Sequence, residues 1–243
     1  MYKYRSKAVP ILISLIVLLS IAVGVLSYKL YYPDEHDNSG GMLEYYNEKC
    51  AAFYTQNSNL AQGQIVFIGD SITDGYVLDH YYSDLDYACY NRGISGDSTA
   101  GVLNRLEISA LGIRPSKIVL MIGINDINFQ TPSAEITERY ERIVNEIYAA
   151  LPEVELYCMS ILPMNETIEK YSTVDLEQST ARIIEINSFI RELSDSSGAT
   201  YVDLFSFVKD EKNHMRTEYT DDGLHLNAAG YEVWTEVLKP YLI

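Results

Sequence analysis

The strongest constraint on this chain is a pair of short apolar runs that each stop at a glycine. Residues 64–68 (QIVFI) end at Gly69, and residues 117–122 (KIVLMI) end at Gly123. An unbroken apolar run of strand length, without polar alternation, describes a strand covered on both faces, as in a parallel sheet. Residues 85–90, 155–160 and 200–204 are weaker strand candidates. Helical spacing fills the intervals. It runs over 99–111 with Val102, Leu103 and Leu106 on one side, and over 133–151 with Ile136, Tyr140, Ile143 and Ile147. It runs again over 180–197 with Ile183, Ile186 and Ile190, where Gly198 stops it. A leading helix is predicted over 42–59. A last one opens at the N-cap Asn227 and ends at Pro240. Strands alternating with helices predict an α/β fold, with one parallel sheet of five strands and helices on both faces. Ligands of such sheets sit beyond the carboxyl ends of the strands, so chemistry is expected in the segments that follow them.

Ahead of this pattern, residues 8–26 form an uncharged apolar run, roughly 28 Å long as a helix and close to the hydrocarbon thickness of a bilayer. Lys3, Arg5 and Lys7 precede it, and Tyr2, Tyr4, Tyr28, Tyr31 and Tyr32 flank it. A basic flank stays in the cytoplasm, so residues 1–30 read as a membrane anchor that sends the rest of the chain across. The alternative is a cleaved signal and a secreted product. Signal peptides have a shorter apolar region and a small-x-small site, which Val25-Leu26-Ser27 matches poorly. Residues 31–41 (YYPDEHDNSGG) read as a linker, and 42–243 as the folded domain.

Charge narrows the partners. The formal charge is −16, and the first 30 residues contribute four basic groups and no acidic one. The domain is therefore more acidic than the whole, which argues against nucleic acid as a partner and against adhesion to anionic lipid by charge. The apolar share of 47% suits a chain that buries a real core. Three cysteines (Cys50, Cys89, Cys158) allow at most one disulfide, and Cys89 and Cys158 fall in predicted strands as buried thiols.

Four segments carry candidate chemistry. Gly69-Asp70-Ser71-Ile72-Thr73 follows the first strand and puts a serine hydroxyl on a tight turn into a helix. Taken alone, Gly-Asp-Ser is ordinary turn chemistry. Asn91-Arg92-Gly93-Ile94-Ser95-Gly96-Asp97-Ser98 follows the second strand, with two glycines exposing backbone N–H groups before a helix capped by Asp97 or Ser98. Gly123-Ile124-Asn125-Asp126 follows the third, where Asn125 either aims an amide donor into the cleft or forms a turn. Near the end, Asp222 and His225 lie three residues apart, and a carboxylate there can hold the imidazole in one tautomer. A nucleophile, oxyanion donors, a base and an orienting acid at one sheet edge are the parts of nucleophilic acyl transfer. There is no Gly-x-Ser-x-Gly elbow, no His-Glu-x-x-His, no Cys-x-x-Cys and no phosphate-binding Gly-x-x-x-x-Gly-Lys. No metal or cofactor is expected.

Those four blocks, in that order, resemble the SGNH hydrolases, also called GDSL-type esterases and lipases. The resemblance extends from residue 65 to the C-terminal helix. It implies a flavodoxin-like three-layer sandwich and an esterase that needs no cofactor. It implies Ser71 as nucleophile, Asp222 and His225 as its acid and base, and Ser71, Gly96 and Asn125 as the oxyanion hole, with Gly93 the competitor of Gly96.

The expected activity is hydrolysis of carboxylic esters through an acyl-enzyme. Small acyl groups on carbohydrate or other small alcohols come first as substrates. Two polar, tyrosine-bearing insertions, 76–86 and 163–178, follow strands and are expected to roof the site without forming an apolar lid. A lysophospholipase, an acyltransferase on the same serine, and an inert membrane-displayed binding module are the alternatives.

Overall fold

A computed structural model describes residues 39–165 and 175–243. The expected anchor (8–26) and most of the expected linker lie outside the described residues, as does the middle of the second insertion. Among the described residues no helix is long and apolar enough to cross a membrane. The chain divides into two compact units, Met1–Asn47 and Glu48–Ile243. Helix α1 (Ser39–Asn57) runs through that division. It opens three residues before Met42, so Gly40 and Gly41, read as linker, are helical. Glycine weakens a helix by only about 1 kcal/mol, which one further turn of backbone bonding offsets.

The second unit is built on five parallel strands: β1 (Ile65–Gly69), β2 (Cys89–Gly93), β3 (Lys117–Met121), β4 (Glu155–Met159) and β5 (Thr200–Val202). Their order across the sheet is β2-β1-β3-β4-β5. The two apolar runs form the centre, and every residue of β1 and β3 is buried. Alternate side chains of a strand face opposite layers. On β4, Tyr157 donates its hydroxyl hydrogen to the Tyr241 carbonyl on the last helix. The next residue, Cys158, meets Tyr140 and Ser194 on the other face. That second layer holds α4 (Thr99–Ser109), α6 (Ser133–Ala150) and α7 (Leu176–Ser197), packed side by side. The first holds α2 (Ser71–Asp74), α3 (Leu78–Tyr82) and α9 (Ala228–Leu242), and the single turn α8 (Phe205–Val208) follows β5.

Several sequence expectations change. β2 lies at Cys89–Gly93 rather than 85–90, so Asn91 and Arg92 belong to the strand and not to the loop after it. Neither residue favours a strand, but both find tertiary partners. Asn91 Nδ2 donates to the carbonyls of Thr73 (2.6 Å) and Tyr76 (3.0 Å). Arg92 donates to the Gln56 and Asn57 side chains. Packing overrides propensity there. Pro240 does not end the last helix, which continues to Leu242. In the final turn its missing N–H forfeits a single bond and its fixed φ is already helical. The segment around Asn125, where a turn is one of two readings, forms a short helix, α5 (Ile124–Asn128). The insertion at 76–86 is no roof. Tyr76 and Tyr82 are buried, bonded to each other through their hydroxyls at 2.9 Å, and Tyr76 packs against Trp234. No disulfide joins Cys50, Cys89 or Cys158.

Candidate active site

Ser71 is the first residue of α2, directly beyond the end of β1. Asp70 caps that helix, its Oδ1 accepting from the Ile72 N–H at 3.0 Å. His225 sits just before α9. Asn227 caps α9 by accepting from the Gly230 N–H at 3.1 Å, and the buried Leu224 and Leu226 anchor the loop on either side of the imidazole. The two segments, 154 residues apart in sequence, meet at the sheet edge. Ser71 Oγ lies 2.9 Å from His225 Nε2, and His225 Nδ1 lies 2.6 Å from Asp222 Oδ2.

Asp222 has two jobs. Its Oδ1 accepts from the backbone N–H groups of Leu224 (2.9 Å) and His225 (2.8 Å), which shapes the loop. Its Oδ2 holds the ring. Partial burial works against ionisation, but the bonds from the His225 ring, the His225 backbone and the Leu224 backbone hold the carboxyl below its ordinary value. An ionised carboxylate only accepts hydrogen bonds. The imidazole therefore carries its proton on Nδ1 and turns the Nε2 lone pair toward the serine. The triad is open: the side chains of His225 and Asp222 are 38% and 43% exposed.

Gly96 and Asn125 come together through Asp97. Asn125 Nδ2 donates to the Asp97 carbonyl at 2.8 Å. Gly96 has φ +79°, which glycine adopts without strain. The backbone N–H groups of Ser71 and Gly96 form no hydrogen bond among the described residues. Gly93 differs on two counts. Its N–H already donates to Asn91 Oδ1 at 2.8 Å, and a side chain there would run into the Asp74 backbone. Gly93 is where β2 presses on α2, the helix that carries Ser71.

Sequence reasoning missed the braces beneath this site. Arg105 is 1% exposed, and its guanidinium gathers three parts. Nε donates to Asp97 Oδ2 (2.7 Å), Nη1 to the Arg92 carbonyl (2.7 Å) and Nη2 to the Gly69 carbonyl (3.0 Å). The signal was present, since Arg105 interrupts the buried stripe of Val102 and Leu106. Asp126, next to Asn125, accepts from the Thr99 N–H (2.8 Å) and hydroxyl (2.6 Å), which ties α5 to the start of α4. Burial pushes its carboxyl up to about 6, and that of Asp70 up to about 7. Among the described residues no group of His, Cys, Asp and Glu has the arrangement to hold a metal ion.

The GDSL-like Lipase/Acylhydrolase family model matches residues 67–233. The chain belongs to that family, whose members are hydrolases of ester bonds. Platelet-activating factor acetylhydrolase IB subunit alpha1 of Rattus norvegicus is 29% identical over 116 residues, covering 46% of this chain and 49% of that protein. Acetylxylan esterase of Geobacillus stearothermophilus is 32% identical over 87 residues, 26% of this chain and 40% of that enzyme. A solved structure from Streptococcus pneumonia, whose name refers to platelet activating factor, is 30% identical with a TM-score of 0.77. It is covered over 99% of its length by 90% of this chain. The chain spans about half the length of the curated relatives it matches.

Proposed function

We propose that the domain is a serine esterase that removes small acyl groups, acetyl first among them, through an acyl-enzyme. The observation that carries this is the line from Ser71 Oγ to His225 Nε2 to Asp222, with 2.9 Å and 2.6 Å between partners. His225 takes the Ser71 proton as the oxygen attacks the ester carbonyl. The Ser71 and Gly96 N–H groups and the second amide hydrogen of Asn125 receive the developing oxyanion. His225 returns the proton to the departing alcohol, and water repeats the sequence to release the acid. Two relatives are named for acetyl esters of unlike partners, platelet-activating factor and xylan. The acyl group is what they share, which favours a small acyl pocket over a fatty one. Among alcohols, carbohydrate is the first reading, and a lipid alcohol is the second because of the platelet-activating factor relatives. Residues 8–26 are proposed to tether the domain on the outer side of a cytoplasmic membrane.

Ser71→Ala and His225→Ala should each abolish most turnover of p-nitrophenyl acetate. The double variant should be little worse than either, because the two residues act as a unit. Asp222→Asn should be milder. Wild-type rates for Ser71→Ala would sink the reading. Acetylated xylo-oligosaccharides compared with an acetylated glycerolipid would then separate the two alcohol classes.

A further inference from the structure

Beyond the triad, a carboxylate on the nucleophile helix has no part in the chemistry so far described. Asp74 stands three residues after Ser71, on the same single turn of helix, and Gly75 N–H closes that turn on the Ser71 carbonyl at 3.0 Å. Its Oδ2 accepts twice from Ser95, from the backbone N–H at 3.2 Å and from the hydroxyl at 2.9 Å. Its Oδ1 meets Lys49 Nζ at 2.6 Å, and its side chain is 12% exposed. Ser95 is the residue immediately before Gly96.

We infer that Asp74 is a positioning residue, which fixes Ser95 so that the Gly96 N–H points at the carbonyl attacked by Ser71; this rests on the serine-esterase reading above. A carboxylate near a forming oxyanion opposes it by repulsion, so electrostatics gives no reason for one here. Lys49 offsets that charge, and two of the carboxylate's bonds go to Ser95. Gly96 has no side chain by which to be held, and its φ is one that glycine leaves loosely determined. It is held instead from its neighbours. Arg105 grips Asp97 on one side, and Asp74 grips Ser95 on the other. Because Asp74 and Ser71 share one turn, the nucleophile and the oxyanion donor are referenced to the same rigid piece.

The test uses the full chain, p-nitrophenyl acetate, and phenylboronic acid as a mimic of the tetrahedral adduct on serine. Asp74→Ala should lower kcat by ~10–100-fold, less than the ~10²–10³ of losing a donor outright, since the N–H is misaimed rather than removed. KM should stay within about twofold, because the hole binds the transition state more than the substrate. Phenylboronate affinity should fall by the same factor as kcat. Asp74→Asn keeps an acceptor and should recover most of the loss. The acid limb of the pH–rate profile should not move, since His225 and Asp222 are untouched. Unchanged kcat, a loss confined to KM, or a shifted acid limb overturns the inference. If Asp74→Ala does not fold, Ser95→Ala decides. It removes an exposed hydroxyl and leaves the backbone bond, so kcat should fall ~2–10-fold, and no change overturns the proposal. Ser71→Ala keeps the two readings apart: an inactive Ser71→Ala beside a fully active Asp74→Ala discards the positioning role alone.

Discussion

Asp70 illustrates how a site residue answers to burial before it answers to catalysis. Its neighbour Ser71 needs the turn that Asp70 caps, and the cap is 1% exposed. Burial raises the carboxyl from 3.8 to about 7. A group with a higher pKa folded than unfolded binds more protons in the folded state between those two values. Stability from Asp70 is therefore full below about pH 4 and is lost as pH rises through about 7. Asp126 acts in the same sense up to about 6. Asp70→Asn keeps an acceptor for Ile72 and cannot ionise, so its melting temperature should fall less between pH 5 and pH 8 than that of the parent. Equal pH slopes in calorimetry would contradict this. Ser71, Asn125, Asp222 and His225 were legible because reactive side chains in ordered blocks leave a mark on the sequence. Asp70, Asp74 and Arg105 were not assigned, because a brace is defined by the carbonyl or N–H it reaches across the fold, and spacing does not encode that reach.

Elements with one dominant signal were read well, and elements held by several weak ones were not. β1 carries no polar side chain, β3 none after Lys117, and both stand within a residue of their expected bounds. β2 was displaced because its last three residues are polar or glycine, and pairing with β1 together with the bonds to Thr73, Tyr76, Gln56 and Asn57 holds them as strand. The same contact makes a prediction about α2. A methyl at Gly93 would meet the Asp74 backbone, so either β2 or the helix that carries Ser71 must shift. Overpacking of this kind costs typically ~1–3 kcal/mol. At about 2–4 °C per kcal/mol for a domain of this size, Gly93→Ala should melt several degrees lower. It should also lose turnover, since the displaced piece carries Ser71, the proposed nucleophile. Gly41→Ala, with nothing within 4 Å, should keep full turnover. Matching behaviour of the two variants would discard the argument.

Across the whole molecule, the alternation of strands and helices was enough to set one parallel sheet with its chemistry at one edge. The resemblance added the flavodoxin-like order that β2-β1-β3-β4-β5 displays. The insertion at 76–86 was misjudged because tyrosines read as surface rings when no partner is visible, whereas Tyr76 and Tyr82 share a hydroxyl network inside the core. The membrane tether proposed for residues 8–26 is tested at this scale. Protease added to intact cells should release the domain, and protection until lysis would reverse the proposed topology.

On the proposed esterase reading, the open triad bears on what becomes of an acyl group carried by Ser71. An imidazole more than a third exposed stands in continuous contact with solvent. Any second alcohol must compete for the acyl-enzyme against a nucleophile already at the door. On that reading, such a centre favours water over a second alcohol as the acceptor of the acyl group.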